Sequence, residues 1–568
     1  MNLVEDAKKQ IDEIINKACR EARANGKLPA GKLPGGEPLA GSVEIPREAA
    51  HGDYAATHAM AAAKELKSAP RNIAEILAEY IDLGGSYFNS FSIAGPGFIN
   101  FTMSEKWYGE VLRAVEAMGG GYGAADLGGG KRVMVEFVSA NPTGPMTIGN
   151  ARGAVLGDTL AAVLQKAGYD VWREFYVNDS GNQVELFGKS IDARYMQICL
   201  GEDNVEFPED GYHGDDIKSL AAHIYESGGD TYKSLPENER IAEFTAFALP
   251  RNIALMREHL ERYRIHFDEW FHESSLHESG YVEETVKLLE NGGLTYEQDG
   301  ALWLRNMELG ADKDEVLRKA NGFYTYYAVD IAYHRDKLER GFDRIIDVWG
   351  ADHHGHAIRM KASMSAPALG VDADKLDFLI MQMVRLSRGG ETVKVSKRTG
   401  KALTLNDLLD EISVDACRFF FNARPDSHLD FDLGLAVRQD SENPVYYVQY
   451  AHARICSLVK TLGAEGFDVP RSGEIDAALL GSEFEMELIK QISLLPGEVT
   501  LAARDYDPSR INKYVTELAA RFHRFYNACR IKGEDSGILA ARLKLADTTR
   551  IVIGNCLALL GVTAPEKM

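Results

Sequence analysis

The stretch EFVSANPTGPMTIGNARGAVLGD, residues 136–158, decides how the chain is read. The apolar run Arg132–Val138 (RVMVEFV) predicts a buried strand that ends inside it. Asn141-Pro142-Thr143-Gly144-Pro145 is dense in turn formers, so the chain leaves the strand through a loop over Ser139–Met146. The apolar spacing from Ile148 to Gly168 predicts a helix, with Thr147 placed to cap its first turn. Val171–Tyr176 is the next strand. Strand, loop, helix and strand in this order open a doubly wound α/β domain with a parallel sheet. In such a domain the helix start offers unpaired N–H groups and a positive dipole end to phosphates. Gly149 removes a side chain where a base or ribose could approach the backbone.

Outward from this stretch, 568 residues suggest about three or four domains. The N-terminal part reads as a small α+β module. Helices are expected over Asp6–Asn25, Ala50–Lys67, Asn72–Ile81 and Ser104–Ala117, and strands over Gly41–Pro46, Phe88–Ala94 and Gly97–Met103. Gly119–Gly130 (GGGYGAADLGGG) is a glycine-dense linker. It is not a phosphate-binding P-loop, because Lys131 is followed by Arg132 instead of Ser or Thr and a strand follows in place of a helix. Residues 200–300 read as helical insertions at Ile217–Glu226, Glu237–Tyr263 and Val282–Asn291. The α/β alternation resumes with Ala301–Arg305, the helix Thr325–Gly341 and the strands Arg344–Trp349 and Asp377–Leu386. From about residue 440 nearly everything is amphipathic helix. The expected domains are therefore 1–118, 119–435 and 436–568.

Composition narrows the classes. Hydrophobic residues make up 45% and charged residues 26%, which excludes wholesale disorder and fibrous chains. No apolar run approaches the ~18 residues of a membrane span, and Met1–Ile15 lacks a signal peptide's apolar centre, so a soluble cytoplasmic protein is expected. The net charge of −22 disfavours indiscriminate coating of nucleic acid but leaves room for a local basic docking face. The six cysteines form no CxxC pair and no zinc-finger spacing, as expected for free thiols in a reducing compartment.

A second stretch, ETVKVSKRTGKALTL at 391–405, crowds Lys394, Lys397, Arg398 and Lys401 into an otherwise acidic chain, with Gly389-Gly390 before them and Gly400 among them. A lysine loop of this kind suits stabilisation of phosphates in transfer. Together, TIGN (Thr147–Asn150) and KVSK (Lys394–Lys397) resemble the paired HIGH and KMSK signatures of class I aminoacyl-tRNA synthetases. Longer stretches resemble the arginyl-tRNA synthetase family: EFVSANPTGP, VNDSGNQVE (Val177–Glu185), VWGADHHGH (Val348–His356), KRTGKALTLNDLL, DACRFFF (Asp415–Phe421), NPVYYVQYAHARI (Asn443–Ile455) and the ending GVTAPEKM. The resemblance covers nearly the whole chain. It implies a Rossmann-like catalytic domain with insertions, an N-terminal tRNA-binding appended domain and a C-terminal all-α anticodon-binding domain.

A substrate guanidinium is planar, permanently charged and rich in donors, so it wants carboxylates and an aromatic wall. Asn321–Tyr333 is a candidate helix that sets Tyr326 and Asp330 four residues apart on one face. The resemblance places Glu136, Asn141, Tyr326 and Asp330 in the family's arginine pocket, with Asn141 at the α-amino end. It assigns Thr147, Gly149, Asn150, Lys394 and Lys397 to catalysis. Gly149, Asn150, Asp352, His353, Val395, Ser396 and Lys397 are assigned to ATP binding. Asp352-His353-His354-Gly355-His356 invites a metal-site reading, but no second cluster supplies further ligands, so no metal is expected there. Tyr446, Tyr450 and Arg454 recur every four residues. They read either as a face that stacks tRNA bases or as core tyrosines packed on the neighbouring Asp415–Phe421 helix.

The resemblance implies ATP-dependent formation of arginyl-adenylate and transfer of the arginyl group to tRNA(Arg), with Mg2+ accompanying ATP. The long appendages and the absence of a repeated interface motif lead to the expectation of a monomer. The open rivals are a synthetase for another amino acid, a small nucleotidyltransferase, and a catalytically weak paralogue that only binds tRNA. The last draws on the departure of TIGN from the family's two histidines.

Overall fold

The computed structural model describes residues 2–28, 39–46, 48–393, 403–422 and 427–568. Five parallel strands make the central sheet, in the spatial order Leu376–Met381, Arg344–Gly350, Arg132–Glu136, Asp170–Val177, Glu269–His272. The chain begins in the middle of the sheet, adds strands to one side, then returns to add the last two on the other. That reversal opens a crevice at the carboxyl ends of Arg132–Glu136 and Arg344–Gly350, the position where doubly wound sheets take their ligands.

The helix after the first strand, Ile148–Lys166, is almost wholly buried, as a helix covered on both sides must be. Gly157 permits its approach to the sheet, since a Cβ there would overlap the Phe137 ring. The glycine-dense segment after residue 118 is no slack tether. Ala125 and Gly128 donate their N–H groups to the carbonyls of Lys166 (3.0 Å) and Ala167 (2.9 Å), which caps the far end of the same helix.

Three expectations are corrected. Glu269–His272, inside the supposed helical insertion, is the edge strand of the central sheet. Ala301–Leu304 does not join that sheet but sits between Thr295–Gln298 and Glu315–Arg318 in a separate antiparallel one. Within Ala50–Lys67 the residues Tyr54–Ala56 form a strand against Phe98–Met103. It is anchored by the Asp53 carboxylate accepting the Met103 N–H at 2.7 Å, and the helix starts only at His58.

Residues beyond 440 form the helices Pro444–Ala464, Glu483–Ser493, Leu495–Arg504, Ser509–Ala528 and Ser536–Leu559. They share one hydrophobic core with the N-terminal module and the catalytic helix Ile148–Lys166. Arg418 is the tie. It is fully buried, donates to the Leu560 carbonyl at 2.8 Å and to those of Tyr263 and Arg264, and pairs with Asp158 on the catalytic helix. Gly561 (φ +63°) leaves the guanidinium its space. All six cysteines are unpaired, and no described helix is long and apolar enough to cross a membrane.

Candidate active site

A cleft of about 1600 Å³ occupies the crevice. One end is built on the TIGN turn. Thr147 caps the helix: its Oγ1 accepts the Asn150 N–H at 3.4 Å and donates to Asn150 Oδ1 at 2.8 Å, while Thr147 N donates to the same Oδ1 at 2.9 Å. This reciprocal capping box uses the threonine proton and the asparagine carbonyl internally. The Thr147 hydroxyl proton is thus spent inside the turn. Asn150 Nδ2 and the helix N–H groups are the donors left for a ligand at this end.

The described chain resumes at residue 403 beside this turn. Thr404 forms an antiparallel bridge with Thr147, and Leu405 N donates to Met146 O at 2.9 Å. Lys394, Val395, Ser396 and Lys397 lie outside the described residues, as do Arg398 and Lys401.

Between the ends, the first strand closes in a tight turn. Val138 sits at φ +70° and Ser139 at φ +39°, and Ser139 N donates to Phe137 O at 3.0 Å. Left-handed backbone at a β-branched residue is strained, and such strain gathers at functional sites. The turn aims Ser139 Oγ, which donates to Glu136 Oε1 at 2.6 Å and accepts the Tyr176 N–H at 3.2 Å.

The other end is a chain of ionisable side chains. Buried Glu136 pairs through Oε2 with Lys337 Nζ, which also donates to Asp347 Oδ1 at 2.8 Å. Asp347 Oδ2 meets His334 Nε2 at 2.9 Å, and His334 Nδ1 lies 2.7 Å from the Asp330 carbonyl and 3.1 Å from its Oδ1. Asp330 Oδ2 meets His356 Nε2 at 2.5 Å. Asp330, His334 and Lys337 stand at i, i+4 and i+7 on the helix Tyr326–Glu339, so one helix face supplies half of the chain.

Burial sets the protonation states. Burial alone would raise the Asp330 carboxyl, but the positive charge of His334 and hydrogen bonds from both histidines hold it far below the usual carboxylate range. Burial opposes a charge on His334, yet Asp330, and then Asp347, push it up to about 10. Burial likewise works against Lys337, which Asp347 and Glu136 keep charged. Glu136 is raised by its burial, against the pull of Lys337.

Of the sequence-predicted residues, the cleft brings together Glu136, Asn141, Thr147, Gly149, Asn150, Tyr326, Asp330, Asp352 and His353. Asn141 donates through Nδ2 to Gln183 at 2.6 Å. Tyr326 is 71% exposed and forms a wall over Asp330, its ring 5.8 Å from that of His356. Asp352 and His353 stand exposed at the rim, 3.3 Å from one another. Within the histidine cluster, His356 turns to Asp330 while His353 and His354 face out, and no described group of three metal-competent side chains gathers. Tyr446, Tyr450 and Arg454 are not in the cleft. Tyr446 and Tyr450 stack at 6.1 Å and 7°, and Arg454 lies 4.1 Å over Tyr526 and 5.7 Å over Tyr450. They pack beside His523 and Tyr526, not on the Val414–Phe421 helix, which is met instead by Gln449 donating to Asp415 at 2.8 Å.

Sequence reasoning missed His334, Lys337, Asp347 and His356. Its available signal was the polar stripe Asp330–His334–Lys337 inside an otherwise buried helix.

Comparison with known proteins agrees with this arrangement. The model of the tRNA synthetases class I (R) catalytic domain matches residues 117–430, the arginyl tRNA synthetase N-terminal domain matches 6–103, and the DALR anticodon binding domain matches 448–568. The arginine–tRNA ligase of Acetivibrio thermocellus is 51% identical over 100% of both chains. That of Ruminiclostridium cellulolyticum is 51% identical over 99% of this chain and 100% of its own. The Thermus thermophilus arginyl-tRNA synthetase structure shares the fold, with a TM-score of 0.72 at 21% identity over 99% of this chain and 100% of that one. With an N-terminal domain, a class I catalytic domain and a helical DALR domain in this order, the chain belongs to the arginyl-tRNA synthetase family.

Proposed function

We propose that the chain charges tRNA with arginine in two steps that share the cleft, with distinct side chains serving each substrate. The arginine carboxylate attacks the α-phosphate of ATP in line, forming arginyl-adenylate and releasing pyrophosphate. The terminal ribose of tRNA(Arg) then takes the arginyl group and AMP leaves. No enzyme nucleophile is needed, so the site works by positioning and by stabilising charge on phosphate. The Asp330 carboxylate and the Tyr326 ring receive the guanidinium, and Asn141 holds the α-amino end. The observation that carries this reading is Asp330: an ionised carboxylate held at the closed end of the cleft, 23% exposed, beside an exposed aromatic wall.

Asn150 Nδ2, the N–H groups near Gly149, and Lys394 and Lys397 act on the phosphates, with Gly149, Asp352, His353, Val395 and Ser396 around the nucleotide. ATP enters as its magnesium complex, a substrate and not a resident group. Glu136 acts indirectly. Both its oxygens are engaged by Ser139 and Lys337, so it braces the pocket instead of touching the guanidinium.

The stacked Tyr446–Tyr450–Arg454 stripe presents π-faces and a cation for unpaired bases of the tRNA. The domain limits in this reading are 118/119, at the end of the helix Glu105–Met118, and 435/436, within the short helix Leu433–Ala436. The same reading has the chain work as a monomer in the cytoplasm, the reducing compartment being supported by six unpaired cysteines. The test is charging of total tRNA with each labelled amino acid. Arginine alone should be incorporated, and absence of arginine charging by folded protein would leave the tRNA-binding paralogue as the better reading.

A further inference from the structure

The two most exposed large hydrophobic side chains among the described residues stand three positions apart. They are Tyr326, the wall over Asp330, and Phe323, which is 70% exposed and outside the lining of the cleft. Phe323 is not carried on a slack loop. Between the strand Glu315–Arg318 and the helix Tyr326–Glu339 the chain folds back as a hairpin. Arg318 bridges Tyr324, Lys319 N donates to Phe323 O at 2.9 Å, and Gly322 N donates to Lys319 O at 2.9 Å. Thr325 N donates to Leu317 O at 2.9 Å and its hydroxyl to Val316 O at 2.5 Å, which ties the hairpin to the helix start. The backbone thus holds the ring out in solvent, and no described ring or cation packs on it.

Lys319 stands opposite Phe323 across the hairpin, so cation and ring share one side of it. Lys319 is exposed and makes no ion pair with a described residue. An open π-face beside an ammonium, in a chain of net charge −22, has the chemistry that takes an unpaired nucleotide. The base stacks on the ring and the phosphate meets the cation. Position narrows the occupant further. The helix that opens three residues later supplies Tyr326 and Asp330 to the cleft. For the arginyl group to pass to tRNA, the terminal ribose has to enter that cleft, and the unpaired nucleotides before it have to cross the rim. We propose that Phe323 and Lys319 form a docking surface on this rim for the unpaired 3′ end of the tRNA, the ring stacking on a base and the ammonium pairing with a phosphate. This rests on the charging reading above and adds to it the place where the acceptor end enters.

An apolar protein surface seated on the same ring would strip water from Lys319 without supplying a counter-charge, and that burial is costly. A nucleotide supplies both halves. Stacking is indifferent to which base is stacked, which suits an end that is delivered to the cleft and not read there. The rim at Phe323 also lies on the Asp330 side of the cleft, away from the TIGN turn. A strand entering over it leaves the phosphate end open for ATP to enter and pyrophosphate to leave.

The experiment is equilibrium binding of the full-length protein to two forms of tRNA(Arg), one intact and one trimmed of its unpaired 3′ nucleotides. Phe323→Ala should weaken binding of the intact tRNA by at least about fivefold, the loss of one stacked base. It should change binding of the trimmed tRNA by less than about twofold. Phe323→Trp keeps a stacking face and should restore the intact affinity. Lys319→Gln should lower the salt slope of intact binding by about 0.7, the share of one single-strand phosphate, and leave the trimmed slope unchanged. In charging, Phe323→Ala should raise the KM for tRNA and leave the KM for arginine as it was. The exposed ring supports no packing, so the denaturant midpoint of the alanine variant should match that of the unmodified protein. Unchanged binding of intact tRNA by Phe323→Ala, or an equal loss on the intact and trimmed forms, would overturn the proposal. Failure of the unmodified protein to bind tRNA(Arg) in either form would instead sink the charging reading itself.

Discussion

At the end of the cleft proposed to take the guanidinium, six ionisable side chains close on one another, most of them buried and each fixed by at least one neighbour. At the phosphate end the described side chains do almost nothing outward. Thr147 and Asn150 cap each other, and what is left to face a ligand is the Asn150 amide and a row of backbone N–H groups. The first design recognises a fixed charge and must be rigid. The second must accept a triphosphate, follow its change of shape and release pyrophosphate. Backbone donors with a lysine loop allow this without a buried cation to desolvate. The difference teaches that selectivity and turnover in this molecule are built by different parts and should fail separately.

The largest separation is expected in stability. Lys337→Met leaves Glu136 and Asp347 as buried carboxylates without their shared cation. About 3–5 kcal/mol of unfolding free energy should be lost, read from denaturant midpoints at constant m. A loss below ~1 kcal/mol would mean the chain of charges is not a structural unit. Asn150→Ala, at the other end, should leave stability nearly intact. It should cost about 2–4 kcal/mol of transition-state stabilisation by analogy with losing one oxyanion donor, mainly in kcat. Arginine- and tRNA-dependent pyrophosphate exchange measures it. An equal rise in the KM for arginine would show that the two ends are coupled.

A further effect is a slope. His334 has its pKa raised in the folded state to about 10. Its contribution to stability is therefore complete below the unfolded value of ~6.5 and is lost as pH rises toward about 10. Unfolding free energy of the unmodified protein should fall across that window relative to His334→Gln. Parallel pH curves would contradict a protonated His334.

Much of this contrast was legible in the residues and some was not. The turn at 139–146, the capped helix from Thr147 and the central strands follow from apolar spacing and turn chemistry, so the crevice was predictable. Glu269–His272 was missed because EWFH is four residues long and lies among charged helices, and only pairing with Asp170–Val177 makes it a strand. The antiparallel sheet around Ala301–Leu304 was misplaced for a like reason: a short strand does not say which sheet it joins. In the site, Tyr326 and Asp330 could be found from their spacing on one helix. The role of Glu136 could not, because its partner Lys337 lies 201 residues away. Local spacing likewise could not tell that His356 turns inward while His353 faces solvent.

The central claim is that Asp330 is the carboxylate that reads the guanidinium. Its most direct test is the steady-state kinetics of Asp330→Asn, with arginine and ATP varied separately in the charging reaction. The variant keeps size and shape and loses the charge half of a charge-assisted pair, worth about 1.5–3 kcal/mol. The expected result is a fall of at least about tenfold in kcat/KM for arginine with the KM for ATP little changed. Unchanged arginine kinetics in a folded Asp330→Asn protein would contradict the account.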